Sequence, residues 1–206
     1  QTGILNEEKY RSLILDSGSL VVKVYRREIV IDHPGRFPTG IFYEDNALAN
    51  SWMLRAHHFE YIEEPLYYYY QHDTSTVHTI TERRCKDRME AGRIMLQEAV
   101  SNGYLERYRP ELEYTFTMLF YINTLFTYMQ GVRPVRADFV EKLGREMRET
   151  FPEFQKNRYY LERTGAEEKK LAAMHMRSTL QFILYYKLLW GYRNCRKKLK
   201  ETFAKK

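Results

Sequence analysis

The sequence predicts an α+β fold weighted heavily toward helix: a small, incomplete mixed sheet with one or two helices, followed by a region of helices alone. Three observations lead there. β-Branched and aromatic runs that read as strands occur only within residues 1–80. From Thr81 onward apolar residues recur at helical spacing, punctuated by Gly103, Pro110 and Gly131. Charge divides at the same place, with 7 Lys/Arg against 11 Asp/Glu in residues 1–80 and 26 against 16 in residues 81–206. A boundary is therefore expected near residue 80, between two parts that face different partners.

Asn6 ahead of Glu7 and Glu8 is a suitable N-cap for a helix reaching about Leu15. Asp16-Ser17-Gly18-Ser19 is a turn, and residues 20–24 (Leu-Val-Val-Lys-Val) read as a strand. His33-Pro34-Gly35 and Phe37-Pro38-Thr39-Gly40 punctuate a loop. A helix over 45–55 follows, with Leu48, Trp52 and Met53 at helical spacing, and then strands at 59–62 and 66–71 hinged at Pro65. So few strands make a poor independent domain, and the front part reads as a piece of something larger. Gln1 is not an initiator methionine, so the natural start is expected upstream.

Behind residue 80 the spacing predicts helices over 82–102 with Thr81 as cap, 111–130, 138–150, and 171 to about 200 with an interruption at Gly191. Tyr114–Gln130 is uncharged over 17 residues, short of the roughly 20 strongly apolar residues that a span needs, so a buried helix is expected.

Composition narrows the function classes. With 44% apolar and 29% charged residues the chain is globular in character, not disordered. Cys85 and Cys195 are its two cysteines, which excludes a disulfide scaffold and structural zinc and fits a reducing compartment. Tyrosine is abundant, at 18 residues, and suits half-wet clefts. Residues 171–206 carry 9 Lys/Arg and one Glu beside an apolar block of Leu180, Phe182, Ile183, Leu184, Leu188, Leu189 and Trp190. That pairing fits a membrane surface as well as a core helix with a solvated basic tail. Nucleic acid is not expected, because no recognition motif accompanies the basic residues.

Glu44-Asp45 between a loop and a helix is the most informative spot. Alone it reads as capping. Its surroundings add more: Lys23-Val24-Tyr25-Arg26-Arg27, then Phe37-Pro38-Thr39-Gly40-Ile41-Phe42-Tyr43-Glu44-Asp45-Asn46, then Tyr61-Ile62-Glu63-Glu64-Pro65-Leu66-Tyr67-Tyr68-Tyr69, with His72 and Ser75 beyond. In order and spacing this run resembles the C-terminal half of the catalytic domain of family 2 glycosyltransferases, which have the GT-A fold. The resemblance covers residues 20–75.

The resemblance implies transfer of a sugar from a nucleotide-sugar donor to a hydroxyl acceptor, a glycan or lipid-linked molecule in cell-surface glycan synthesis, with inversion. Asp45 matches the general base, and Glu44 would shape the acceptor pocket. His72 and Ser75 match the segment that approaches the diphosphate. Tyr70 stands where the family often has an arginine. The family's acidic D-x-D, which holds magnesium or manganese, belongs to a first half that is not in this sequence, so the fragment alone is expected to be inactive and metal-free. The two cysteines fit a cytoplasmic protein, the basic and apolar stretch 171–206 is expected to sit peripherally at the inner membrane face, and homo-oligomers are compatible with the sequence. A non-catalytic helical interaction or membrane-docking module is the alternative that the sequence leaves open.

Overall fold

The computed structural model describes residues 1–32, 35–70 and 79–204, and within them the side chains at 198, 199 and 201–204 are not described. The fold is mostly α, with 70% helix and 2% strand.

Helix α1 (Glu7–Leu15) starts where its cap requires: Asn6 Oδ1 accepts the Lys9 amide at 3.0 Å. A short helix α2 (Arg27–Ile31) and the longer α3 (Glu44–Arg55) follow. Two short strands, β1 (Gly3–Ile4) and β2 (His58–Phe59), pair antiparallel with Gly3 opposite Phe59.

This is not the expected mixed sheet. Residues 20–22 close a 3₁₀ turn, in which the Lys23 amide donates to the Leu20 carbonyl at 3.0 Å. Residues 60–70 carry no strand either. The physical reason is pairing. A strand must place its backbone N–H and C=O groups on a neighbour, and among the described residues these segments have none. Without a sheet behind it, Val24 is 100% exposed.

The rear matches expectation closely. α4 (Glu82–Ser101) begins with Thr81 Oγ1 accepting the Arg84 amide at 3.2 Å and ends before Gly103, whose φ of 70° ordinary residues resist. After α5 (Tyr104–Arg107), a helical run from Arg109 to Gly131 comprises α6 (Arg109–Phe116), a π segment (Thr117–Ile122) and α7 (Asn123–Gly131). α8 (Ala137–Thr150) and α9 (Arg158–Arg163) come next. The final helix expected from 171 is two: α10 (Ala166–Arg177) and α11 (Thr179–Ala204). They break at Ser178, whose backbone is extended, and not at Gly191. One glycine costs a helix only about 1 kcal/mol, which a helix of this length absorbs.

The main core gathers Phe116, Phe120, Tyr121, Leu125, Val140, Leu143 and Phe182 from α6 to α11, together with Met89 and Met95 of α4. Front and rear share smaller cores. Ile14 of α1 lies with Ala99, Tyr108 and Leu112, and Leu48 and Trp52 of α3 lie with Ala91 of α4. Polar contacts repeat the pairing, as Asn50 Nδ2 reaches the Met95 sulfur at 3.6 Å. Among the described residues no helix is long and apolar enough to cross a membrane.

Candidate active site

Glu44 and Asp45 occupy the first turn of α3, where free amides and the helix dipole favour carboxylates. The chain enters that turn through Tyr43, which sits at φ 68° and ψ 26°. A left-handed tyrosine is a strained residue, held only where its surroundings over-determine it.

Those surroundings come from α4. The Arg88 guanidinium lies over the Tyr43 ring, 4.4 Å from its centroid, and donates to the tyrosine hydroxyl at 2.6 Å. Arg88 is itself tied to α7, through the Asn123 carbonyl and Thr127 Oγ1, both at 2.9 Å. Arg84 lies over the Phe42 ring at 4.4 Å, and Arg83 donates to the Gly40 carbonyl at 3.3 Å. The buried Asp87 accepts the Phe42 amide at 3.4 Å. Gly40 makes the bend possible, with φ of 78°. The approach loop is thus clamped along its length by one turn and a half of α4.

Asp45 Oδ1 accepts from both the backbone and the side-chain amide of Asn46, at 2.9 and 2.7 Å. These bonds fix the carboxylate on its neighbour and not on Ala47 or Leu48, the amides a simple cap would take. They engage one oxygen, leaving Oδ2 for an incoming group. Asp45 is half-buried and Glu44 is exposed beside it.

Of the other expected site residues, Tyr70 is the one that falls among the described residues. Tyr70 ends the described part of an extended segment in which Tyr67 and Tyr69 stack at 6.5 Å, and its side chain is 71% exposed. His72 and Ser75 lie outside the described residues. Two concavities, of about 300 and 380 Å³, are lined by other residues: His175, Arg148 and Glu141 in one, Arg93, Phe120 and Glu146 in the other. Neither includes Asp45.

Sequence reading missed Arg83, Arg84, Asp87 and Arg88. Their signal was present as three cations and an acid on adjoining positions of one helix face, but such a run reads as solvated without the loop that it holds.

Beside α3, Tyr25 and Phe37 pack edge-on to Trp52, at 5.7 and 4.7 Å. The Tyr25 hydroxyl and Trp52 Nε1 are buried without a hydrogen-bond partner among the described residues, and burial pushes the Tyr25 hydroxyl up to about 12. Orphaned polar atoms of this kind are rare in a finished interior.

Among the described residues no three His, Cys, Asp or Glu side chains converge as metal ligands do. No protein-family model, no curated protein and no solved structure matches the chain.

Proposed function

We propose that this chain is the acceptor-side half of a GT-A type glycosyltransferase domain, in which Asp45 is the general base. The observation that carries the reading is the strained entry to α3: a left-handed tyrosine, clamped by Arg88, immediately ahead of an acid pair. Strain sustained at that cost next to ionisable groups is a mark of functional sites.

In the proposed reaction Asp45 Oδ2 takes the proton of an acceptor hydroxyl as its oxygen attacks the anomeric carbon. The new C–O bond forms as the bond to the nucleoside diphosphate breaks, and configuration inverts. The two Asn46 bonds to Oδ1 hold the plane of the carboxylate. Glu44 flanks the acceptor. An ion under the diphosphate would be held by the first half of such a domain, and no step here runs through it.

Support for an absent half comes from the surface of the front part. Val21, Val22, Val24, Ile62, Leu66 and Tyr68 are exposed. Isolated apolar residues on a surface need no explanation, but runs of them on segments that lack strand partners do.

The test is Asp45→Asn in the protein extended through the residues preceding Gln1, assayed for release of nucleoside diphosphate from a panel of nucleotide sugars. A loss of about 10²–10⁴-fold in turnover with unchanged melting is expected of a base. Intact turnover with a fall of a few degrees in melting temperature would make Asp45 a cap and nothing more.

A further inference from the structure

Helix α11 is apolar on the side that faces the core and apolar again on the side that faces away. Phe182, Ile183 and Tyr186 are buried, and Trp190 stacks on Tyr186 at 4.5 Å. Leu180, Leu184, Leu188 and Tyr192 recur every four residues on the opposite side, exposed by 72, 62, 65 and 65%. At 1.5 Å per residue the ridge is roughly 18 Å long. Gly191 and the exposed Cys195 continue the same side. Helices apolar on all sides are found where something covers both faces.

Charge says what covers this one. Beyond the ridge lie the exposed Arg196, Lys197 and Lys200, and Lys187 borders it. Arg193 is spent elsewhere, on Glu167 at 2.6 Å and over the Trp190 ring at 4.8 Å. Residues 171–206 hold 9 Lys/Arg and one Glu. A second copy would therefore bring like charge against like, and a parallel pair of α11 helices would set two basic ends together. The ridge is convex, so a protein partner would need a matching groove lined with acids. An anionic bilayer surface needs neither, since acyl chains close around any ridge and phosphate headgroups meet the cations.

We propose that α11 lies in the surface of an anionic membrane, with Leu180, Leu184, Leu188 and Tyr192 entering the acyl boundary and Arg196 and Lys200 against the headgroup phosphates. The inference does not rest on the transfer reading, because it uses neither α3 nor Asp45.

The test is co-sedimentation of the chain with vesicles of phosphatidylglycerol and phosphatidylcholine, compared with phosphatidylcholine alone. Binding to the anionic vesicles is expected to be at least tenfold tighter and to weaken as salt rises. The double variant Leu184→Glu, Leu188→Glu should lose at least tenfold with unchanged melting, since both residues are exposed. A double Arg196→Gln, Lys200→Gln variant should lose most of the preference for anionic lipid. An environment-sensitive dye on Cys195 (Cys85 is buried) should shift to the blue on those vesicles and not on neutral ones. Equal binding to both vesicles, or binding untouched by the leucine variants, overturns the proposal. So does a sedimentation equilibrium that shows the ridge buried in a dimer which the leucine variants dissociate.

Discussion

Arg88 lies over the Tyr43 ring, 4.4 Å from its centroid, and donates a 2.6 Å hydrogen bond to the hydroxyl of that same ring. One side chain of α4 thereby holds the residue whose backbone is strained at the entrance to α3. The strain of a left-handed tyrosine is of order 1–3 kcal/mol, and contacts of Arg88 are what offset it.

Replacing Arg88 with Ala is expected to release that entrance. The cost should be about 1–2 kcal/mol, from a lost cation–π contact and lost charge-assisted hydrogen bonds. Arg88→Lys should recover only part of it, because an ammonium cannot stack and fork at once. Hydrogen exchange at the amides of residues 42–46 should rise with the loss, while that of α8 stays unchanged. Uniform loosening of both regions would mean that Arg88 serves the whole fold and not the loop.

His175 predicts a pH dependence. Its ring is buried, with Nε2 donating to the Val140 carbonyl at 3.0 Å and Nδ1 accepting from the Tyr121 hydroxyl at 2.8 Å. Gly144 leaves it room, for a methyl there would stand 2.8 Å from the ring. Burial lowers its pKa to about 4, against the opposing pull of the Val140 carbonyl and with help from Arg148. The unfolded chain then binds the proton first as pH falls, so the stability His175 contributes is whole above about 6.5 and drains away toward 4. Between pH 7 and 4.5 the loss should be about 2–3 kcal/mol by linkage. Urea midpoints at the two pH values should fall further in the native chain than in His175→Gln. Equal falls in both would place the acid sensitivity elsewhere.

How much of this was legible depended on how local each cause is. Asn6, Thr81 and Gly103 act within one turn of their own positions, so the spans of α1 and α4 could be read directly. The start of α3 at Glu44-Asp45 was local as well. The strands at 20–24 and 66–71 were misjudged for the opposite reason. β-Propensity describes a residue on a sheet that already exists, and among the described residues Val22 and Tyr68 have no strand neighbour. The clamp on the approach loop joins residues more than 40 positions apart, such as Tyr43 and Arg88, and no spacing rule connects them. For α11 the composition was legible but its sorting was not: Phe182 and Leu184 look alike in sequence, and only the packing sends one inward and the other out.

Glu111 gives the last prediction, about what fastens the front of the molecule to its rear. The carboxylate is fully buried on α6, where Arg11 of α1 donates to both oxygens at 2.9 Å. Arg158 Nη2 at 3.0 Å and the Tyr159 hydroxyl at 2.7 Å reach it from α9. Burial alone would raise its pKa, but the hydrogen bonds from Tyr159 and Arg11 outweigh that and hold it below the usual carboxylate value. The four bonds meet on one anion, so removing the anion and removing one donor are unequal injuries. Glu111→Gln keeps the shape and turns one acceptor into a donor that faces arginine, leaving buried groups unsatisfied. A loss of about 2–4 kcal/mol is expected. Arg11→Ala removes a donor that is one-third exposed, and Arg158 and Tyr159 still serve the carboxylate. That change should cost only about 1 kcal/mol. Chemical denaturation of both variants checks the asymmetry. Because Leu13 of α1 packs on Met53 of α3, Glu111→Gln should also speed amide exchange in α3, where Asp45 stands. If the two variants cost the same, or if α3 exchanges unchanged, Glu111 is an ordinary ion pair and the hold on α1 lies in the apolar contacts of Ile14 with Ala99 and Leu112.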